Sequence, residues 1–277
     1  MVGARHIGRL ANNLFQISVA IGYARKYGYE WCVDPRSGVG EPYSAIHQVF
    51  PNLPKADLSG TRYHEHANAW CNRHNMHYDL CHFDYHNIPD MGPNVVFSGF
   101  YQSWKYFEHC KEEVKEVFKL PHVEGYEDYV SIHVRRGDYV QHSGSFPPIT
   151  MDYINEAIRR IEVLADGIPE YLPTKFMVFS DDIQWCKNNF DDFFGLYKFE
   201  FSEGHNELQD LSLMASCGHH IIANSSFSYW GAYLGHNPNR IVISPSCKRG
   251  NWFGMEAGIK KDVVDLLPPE WVQIEFR

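Results

Sequence analysis

Long apolar runs, a signal peptide and a cysteine framework are all missing from this sequence. No uninterrupted apolar segment approaches the roughly 18–20 residues that a membrane-spanning helix requires. The first twenty residues contain Arg5 and Arg9 followed by polar side chains, which does not suit a signal peptide. There are 7 cysteines in 277 residues, an odd and scattered set that favours reduced thiols over disulfide bonds. We therefore expect an intracellular chain without a transmembrane segment.

Basic residues are also in short supply. Lys and Arg together number 25 against 34 Asp and Glu, which gives a formal net charge of -9. Nucleic acid and anionic membranes require a positive protein surface, so neither is expected as a partner. Any anionic ligand must be met by a local cluster of positive groups.

Three motifs of common nucleotide sites are absent. There is no Gly-x-Gly-x-x-Gly, which argues against a dinucleotide-dependent enzyme, and no Gly-Lys-Ser/Thr, which argues against a kinase-like ATPase. There is also no Asp-x-Asp pair to hold Mg²⁺. A diphosphate site in this chain must neutralise charge with arginines and helix dipoles, and we expect it to need neither a metal ion nor a cofactor.

Apolar residues make up 44% of the chain, and their pattern alternates short strands with amphipathic helices. This alternation is typical of an α/β fold. We predict an N-terminal domain, 1–122, with a first helix capped by Asn12 or Asn13 and a loop-rich stretch from about 35 to 92. A C-terminal domain, 123–277, follows as a doubly wound half-domain. The predicted strands are 95–100, 129–134, 176–180, 197–201, 219–223 and 241–244, and the predicted helices after the first are 105–119, 151–164, 183–189, 207–217 and 226–234.

The predicted strand at 129–134 runs into the segment HVRRGDY at 133–139. Two adjacent guanidinium groups at a strand end are costly to bury without an anion, and the planar fork of arginine suits phosphate. Ligands of doubly wound sheets bind beyond these carboxyl ends of the strands. Phosphate binding by Arg135 and Arg136 is the functional hypothesis, and a surface ion pair with Asp138 is the alternative.

A second polar segment follows the predicted strand at 219–223. Asn224, Ser225, Ser226 and Ser228 stand where a helix begins, next to free backbone N–H groups and the positive end of the helix dipole, which favours an anion. Ordinary N-capping by Ser225 or Ser226 is the alternative. Because both strands belong to one predicted sheet, we expect the arginine and serine segments to converge on a single diphosphate.

Asp181 follows the predicted strand at 176–180. A carboxylate in this place can accept hydrogen bonds from a ribose or from the N–H groups of guanine. Capping of the next helix by Asp181 or Asp182 is the alternative.

The loop-rich stretch holds a dense group of cysteines and histidines of the types that bind zinc. Their spacing matches no common zinc module, so polar loop histidines are favoured and no metal ligand is predicted. The group consists of Cys71, His74, His77, Cys81, His82 and His86.

Three segments in this order resemble the α-1,2-fucosyltransferase family. Residues 8–16, Gly-Arg-Leu-Ala-Asn-Asn-Leu-Phe-Gln, are similar to the family's opening Gly-x-Leu-Gly-Asn-Gln-Met-Phe-Gln. Residues 133–139 are similar to the His-x-Arg-Arg motif of α-1,2-, α-1,6- and protein O-fucosyltransferases, and residues 210–232 to the family's third block. Ala11 and Asn13 depart from the usual Gly and Gln, and Tyr229 stands where Trp is common.

The resemblance implies a GT-B-like architecture, in which two Rossmann-like lobes face a central cleft, the N-terminal lobe on the acceptor side and the C-terminal lobe holding GDP-fucose. It implies metal-independent transfer of L-fucose, with inversion, from GDP-β-L-fucose to the 2-hydroxyl of a terminal β-galactoside. The alternatives are another nucleotide sugar or linkage, or a non-catalytic glycan- or nucleotide-binding protein. A cytoplasmic enzyme is expected, and the soluble catalytic part of a membrane-tethered Golgi-type enzyme is the alternative.

Joined to the chemistry of the residues, the resemblance implies roles. Arg135 and Arg136 are expected to stabilise the leaving GDP, while Asp138 either acts as a base or orients the arginines. His133 and Asp181 are expected to contact guanosine. An acceptor sugar is expected to pack on an aromatic ring, with Trp70 and Trp104 as candidates. The other predicted donor-binding residues are Gly8, Arg9, Asn12, Asn224, Ser225, Ser226 and Ser228.

Overall fold

The computed structural model describes residues 1–6, 8–33, 46–56, 61–64, 85–165, 174–190, 196–257 and 262–276. The chain forms two compact units. Unit 1 comprises Met1–Lys119 and Val263–Pro268, and unit 2 comprises Leu120–Asp262 and Pro269–Arg277.

The division into units differs in two respects from the predicted domains 1–122 and 123–277, and the smaller one is that unit 2 begins at Leu120. The segment Val263–Pro268 returns to unit 1, where Asp265 pairs with Lys105 and accepts a hydrogen bond of 3.1 Å from the Tyr85 backbone N–H. These long-range polar contacts carry no local sequence signal, so a single boundary was the only division the sequence suggested.

Unit 1 is built on a four-stranded parallel sheet of order β2-β1-β4-β3. Two short 3-10 turns, Trp104–Tyr106 and Glu108–Cys110, precede its last helix. The predicted helix 105–119 is therefore wrong at its start. The elements are β1 Val2–Ala4, α1 Leu10–Tyr27, β2 Trp31–Val33, α2 Ile46–Val49, β3 Thr61–His64, β4 Val95–Ser98 and α3 Lys111–Val117.

Helix α1 starts earlier than the sequence predicts. Its N-cap is Arg9, which contributes no side-chain cap, and the prediction of Asn12 or Asn13 is wrong. Both asparagines serve inside the helix instead: Asn12 Oδ1 accepts a hydrogen bond of 2.9 Å from Gln102 Nε2, and Asn13 is fully buried. At the other end Gly28 has a φ of 76°, the left-handed conformation that glycine adopts without strain.

Unit 2 contains a six-stranded parallel sheet of order β10-β9-β8-β5-β6-β7. Its elements are β5 Tyr129–Val134, α4 Gly137–Gln141, α5 Met151–Ala165, β6 Lys175–Ser180, α6 Ile183–Asn189, β7 Lys198–Phe201, α7 Glu207–Ser216, β8 His219–Ile221, α8 Ser226–Tyr233, β9 Val242–Pro245 and β10 Val272–Ile274. Counted within the unit, the strand order is 6-5-4-1-2-3, which is that of a dinucleotide-binding fold. The predicted α/β class and doubly wound C-terminal half are confirmed.

Apolar side chains cover both faces of the unit 2 sheet, as a doubly wound fold requires. On one face Val130, Ile132 and Val178 pack with Ile154 and Ile158 of α5. On the opposite face Met177 and Phe179 pack with side chains of α7. Strand β5 is buried along its whole length because it lies inside the sheet. This central strand carries the arginine segment at its end.

The helices and the cysteines of the structure bear on the expected absence of a transmembrane segment and of disulfide bonds. None of the helices in the described part of the chain combines the length and the apolar character needed to cross a lipid bilayer. The cysteines that the structure describes form no disulfide bonds, and most of them are buried: Cys32, Cys110, Cys186, Cys217 and Cys247.

Candidate active site

The carboxyl ends of β5 and β8 lie side by side in unit 2. The two strands pair directly, with Ile132 opposite Ile221. Strand order reverses at this pair, because β6 continues the chain on one side of β5 while β8 occupies the other. In open α/β sheets such a reversal leaves a crevice in which ligands bind. The predicted arginine and serine segments therefore emerge at the same point of the sheet.

Arg135 is held between two carboxylates. Its Nη1 lies 2.8 Å from Asp181 Oδ2, and its Nη2 pairs with Asp138 Oδ1. The Arg135 side chain is 18% exposed and that of Asp138 is 51% exposed. This contact places Asp138 where it can orient Arg135, which is one of the two roles expected for it. The guanidinium group is thus fixed in position at the strand end before any ligand arrives.

Arg136 is engaged with helix α6. Its Cζ lies 4.0 Å from the centroid of the Trp185 ring, a cation–π contact, and its Nε lies 3.2 Å from Asp182 Oδ2. Asp182 in turn caps α6, since its side chain accepts from the Trp185 backbone N–H. The capping alternative considered from the sequence therefore applies to Asp182.

Asp181 braces the turn after β5. Besides its ion pair with Arg135, its Oδ1 accepts a hydrogen bond of 2.8 Å from the Arg136 backbone N–H. The carboxylate also packs against Gly137, where an added Cβ would lie 2.4 Å from Asp181 Oδ2. Only glycine leaves room for this approach. The predicted contact of Asp181 with guanosine stays a prediction.

The serine turn, residues 224–228, opens helix α8. Ser225 is the N-cap, and its Oγ accepts a hydrogen bond of 3.3 Å from the Phe227 N–H. Ser226 is the first helical residue and is partly buried. Ser228 is fully buried, with its Oγ 3.4 Å and 3.3 Å from the carbonyl oxygens of Ala223 and Ser225. The Ser228 hydroxyl therefore supports the turn from within.

Asn224 fastens the serine turn to two neighbouring loops. Its Nδ2 donates hydrogen bonds of 3.0 Å to the carbonyl oxygens of Pro147 and Trp252. The residue is only 2% exposed, and its Oδ1 has no hydrogen-bond partner among the described residues. Buried acceptors without a partner are rare and are commonly satisfied by a ligand or an ordered water.

His133 is the last but one residue of β5 and is 6% exposed. Burial lowers its pKa to about 4, while nearby Asp181 acts to raise it and Arg135 to lower it. The imidazole is therefore neutral at pH 7, with one nitrogen able to donate and the other to accept. Like Asn224 Oδ1, the Nδ1 of His133 is buried and has no hydrogen-bond partner among the described residues. Asn224 Oδ1 and His133 Nδ1 therefore both belong to residues that are predicted to bind the ligand.

The predicted residues of the first segment lie together at the start of α1 in unit 1. Gly8 has a φ of 76°, and a Cβ added there would lie 2.5 Å from Asn12 Nδ2. Arg9 is exposed at the N-cap position. Their predicted contacts with the donor stay predictions.

The metal and acceptor predictions fall partly outside the described residues. Among the residues that the structure does describe, no group of three or more His, Cys, Asp or Glu side chains is arranged to hold a metal ion. His86 Nδ1 lies 2.8 Å from the Tyr106 hydroxyl, and Trp104 is partly buried in unit 1. Outside the described residues lie Trp70, Cys71, His74, His77, Cys81 and His82.

Sequence reasoning missed three side chains or positions around the arginines: Gly137, Tyr139 and Trp185. Helical spacing could not have found the contact of Tyr139 with Arg135, because Arg135 precedes helix α4, which begins at Gly137. Trp185 has no such local relation to Arg136 and is brought to it only by the pairing of β5 with β6.

Comparison with known proteins gives a consistent result. The sequence model described as Glycosyl transferase family 11 matches residues 52–275. An alpha-1,2-colitosyltransferase of Escherichia coli is 35% identical over 67% of this chain and 64% of that protein, so this chain spans less than two thirds of that relative. The galactoside alpha-(1,2)-fucosyltransferase 2 of Gorilla gorilla gorilla is 26% identical over 82% of this chain and 67% of its own length.

A solved structure of similar fold is the alpha-1,6-fucosyltransferase NodZ, from a crystal soaked with GDP-fucose. It covers 87% of this chain and 94% of its own, with a TM-score of 0.51 and 18% identity. At this identity the likeness concerns the fold alone, and it supports the GT-B-like α/β class predicted from the sequence.

Proposed function

This chain belongs to glycosyl transferase family 11, and from that premise we propose that it transfers L-fucose from GDP-β-L-fucose to the 2-hydroxyl of a terminal β-galactoside. The proposed reaction forms an α-1,2 linkage with inversion and needs no metal ion or cofactor. The observation that carries it is the meeting of Arg135 and the serine turn at adjacent strand ends, where the strand order reverses.

The proposed chemistry centres on the leaving group. As the bond between fucose C1 and the phosphate oxygen breaks, negative charge grows on the β-phosphate while the sugar becomes positively charged. Arg135 and the N-terminus of α8 are fixed groups of positive potential and stabilise this charge without reorganising during the reaction. Arg136, which is stacked on Trp185, contributes by holding the turn that presents Arg135.

The nucleoside is proposed to bind beside the same strand ends. Neutral His133 can donate or accept a hydrogen bond, and the Asp181 carboxylate can accept one. These groups suit the hydroxyl groups of a ribose and the N–H groups of guanine. Asp138 is assigned to orienting Arg135, because its carboxylate already accepts from that guanidinium.

The central test of the function combines donor, acceptor and metal arms. We expect GDP release from GDP-fucose in the presence of lactose, an α-1,2 linkage in the product by NMR, and no loss of rate with excess EDTA. GDP is expected to inhibit and UDP to have little effect. GDP binding without transfer to any β-galactoside would favour the non-catalytic alternative, and a rate abolished by EDTA and restored by Mg²⁺ would refute metal independence.

A second donor is favoured by one observation, the 35% identity to an alpha-1,2-colitosyltransferase. The same assay with GDP-colitose decides between the two sugars. A kcat/KM for GDP-colitose well above that for GDP-fucose would replace fucose by colitose in the proposal and leave the site and the linkage unchanged.

Gly137→Ala tests the bracing of Arg135 by Asp181. The new methyl group would displace the carboxylate, and a displacement of about 1 Å at a catalytic group can lower activity about 10²-fold. The displaced carboxylate also loses part of its contacts with Arg135 and the Arg136 N–H, so the thermal midpoint is expected to fall as well. We expect kcat/KM to fall by about 10–100-fold when it is measured at a temperature at which circular dichroism shows the variant to be folded. Val140→Ala, an exposed change in the same helix, is the control, and equal activity of the two variants would contradict the assignment.

A further inference from the structure

Tyr139 contacts both halves of the site although no role has been assigned to it. It lies in α4, partly buried, with its ring centroid 5.5 Å from Arg135 Cζ. The ring forms a wall beside the guanidinium, so it restricts the positions that the guanidinium can take.

The hydroxyl of Tyr139 reaches the other half of the site. It donates a hydrogen bond of 3.0 Å to the backbone carbonyl oxygen of Asn224, the residue that begins the serine turn. Tyr139 thus joins the arginine segment after β5 to the turn after β8 through one side chain. The His133 ring also approaches the serine turn, with its centroid 5.8 Å from that of Phe227, whereas the ion pair of Asp181 with Arg135 ties β5 to β6.

The loops behind Tyr139 hold it in place. Its ring stacks on Phe146 at 5.1 Å with an interplanar angle of 23°, and Phe146 in turn meets Phe253 at 6.1 Å. The loop that contains Phe146 pairs with the loop that contains Phe253 through backbone hydrogen bonds of 2.8 Å. These run from the Gly254 N–H to the Ser145 carbonyl and from the Glu256 N–H to the Gly144 carbonyl. A side chain supported on this face by packed rings and hydrogen-bonded loops can act as a spacer of fixed length.

We propose that Tyr139 is a positioning residue that sets the distance between Arg135 and the serine turn, so that both contact one diphosphate. The residue acts through Arg135 and Asn224 and does not itself touch the ligand. This inference rests on the proposed function for the identity of the ligand. The contacts of Tyr139 concern only the place where the diphosphate would bind.

The test measures binding of GDP and of inorganic pyrophosphate by calorimetry to two variants and a control. Tyr139→Phe removes the hydroxyl and keeps the ring, while Tyr139→Leu removes both. Tyr153→Phe is the matched control, because the fully buried Tyr153 hydroxyl also donates to a backbone carbonyl, that of Ile222, at 2.8 Å. Circular dichroism establishes that each variant is folded.

We expect the Kd of both probes to rise about 3–10-fold in Tyr139→Phe, the range of one net hydrogen bond, and further in Tyr139→Leu. In the transfer assay the KM for the donor should rise in parallel. Tyr153→Phe should bind both probes as the unaltered chain does, even where its thermal midpoint falls.

Unchanged binding in Tyr139→Phe, or an equal loss in Tyr153→Phe, would overturn the positioning role. The two probes separate this failure from a failure of the proposed function. If the unaltered chain binds pyrophosphate but not GDP, the nucleotide assignment fails while the ratio between variants still reports on Tyr139. If it binds neither, the anion site and the inference fall together.

Discussion

Replacing Arg135 by alanine is expected to lower turnover by about 10²–10³-fold, the usual loss when one preorganised donor to a developing negative charge is removed. The structure fixes this guanidinium between Asp138 and Asp181, so no conformational search precedes its use. Its removal also leaves two carboxylates without their counter-ion beside the site, which disfavours an anionic ligand further. Both kcat and donor affinity are therefore expected to fall, as measured by initial rates and by GDP titration.

Two other arginine variants test whether the loss of turnover is specific to Arg135. Arg160→Ala removes an exposed arginine of α5 that pairs with Glu156, so it changes net charge equally and should leave turnover unchanged. Arg136→Ala should cost less than Arg135→Ala, because the Arg136 guanidinium stacks on Trp185 of α6, whereas Arg135 lies beside Tyr139, whose hydroxyl reaches the serine turn. Full turnover in Arg135→Ala would remove the basis of the proposed chemistry.

Acidification is expected to destabilise the protein strongly between pH 6.5 and pH 4. Burial lowers the pKa of both His133 and His219 to about 4 and that of His220 well below its usual value. The unfolded chain binds protons at these sites near pH 6.5 and the folded chain does not, so stability is full above that pH and falls below it. At pH 5 a shift from about 6.5 to about 4 costs about 2 kcal/mol for His133 and about the same for His219.

His219→Asn tests this pH dependence. The Nδ1 of His219 accepts a hydrogen bond of 2.9 Å from the Ile241 N–H, and the Oδ1 of asparagine can take the same role without titrating. The free energy of unfolding, measured with urea from pH 8 to pH 5, should fall less steeply in this variant. His142→Asn, at an exposed histidine, is the control. The same slope in all three proteins would show that His219 is not a source of the effect.

Local signals suffice for many elements of unit 2. Strand β5 and helix α6 have the bounds that the sequence predicts, because a continuous β-prone run and a helix flanked by Asp182 and Phe190 are readable in isolation. The capping box of Asn206 and Gln209 at the start of α7 is another such signal, and the structure contains it. By contrast, β1, β2 and β10 have three residues each, too few for a periodic pattern. Strand β8 is equally short but begins the longer run 219–223, which the sequence does mark as a strand.

The position of the predicted site residues at neighbouring strand ends follows from the sequence, but their contacts do not. The rule that ligands bind at strand ends selects Arg135, Asp181 and Asn224 from the sequence. It does not say which carboxylate holds which arginine, because Asp181 and Trp185 reach the arginines through the pairing of β5 with β6. The orientation of the Ser228 hydroxyl, which bonds carbonyl oxygens of the turn before α8, likewise depends on how the turn folds.

The central claim is that one diphosphate bridges Arg135 and the N-terminus of α8. A crystal structure of this chain with GDP tests it most directly. We expect phosphate oxygens within hydrogen-bond distance of the Arg135 guanidinium and of backbone N–H groups in the serine turn. A diphosphate bound elsewhere, or held by Arg135 with the serine turn out of reach, would contradict it.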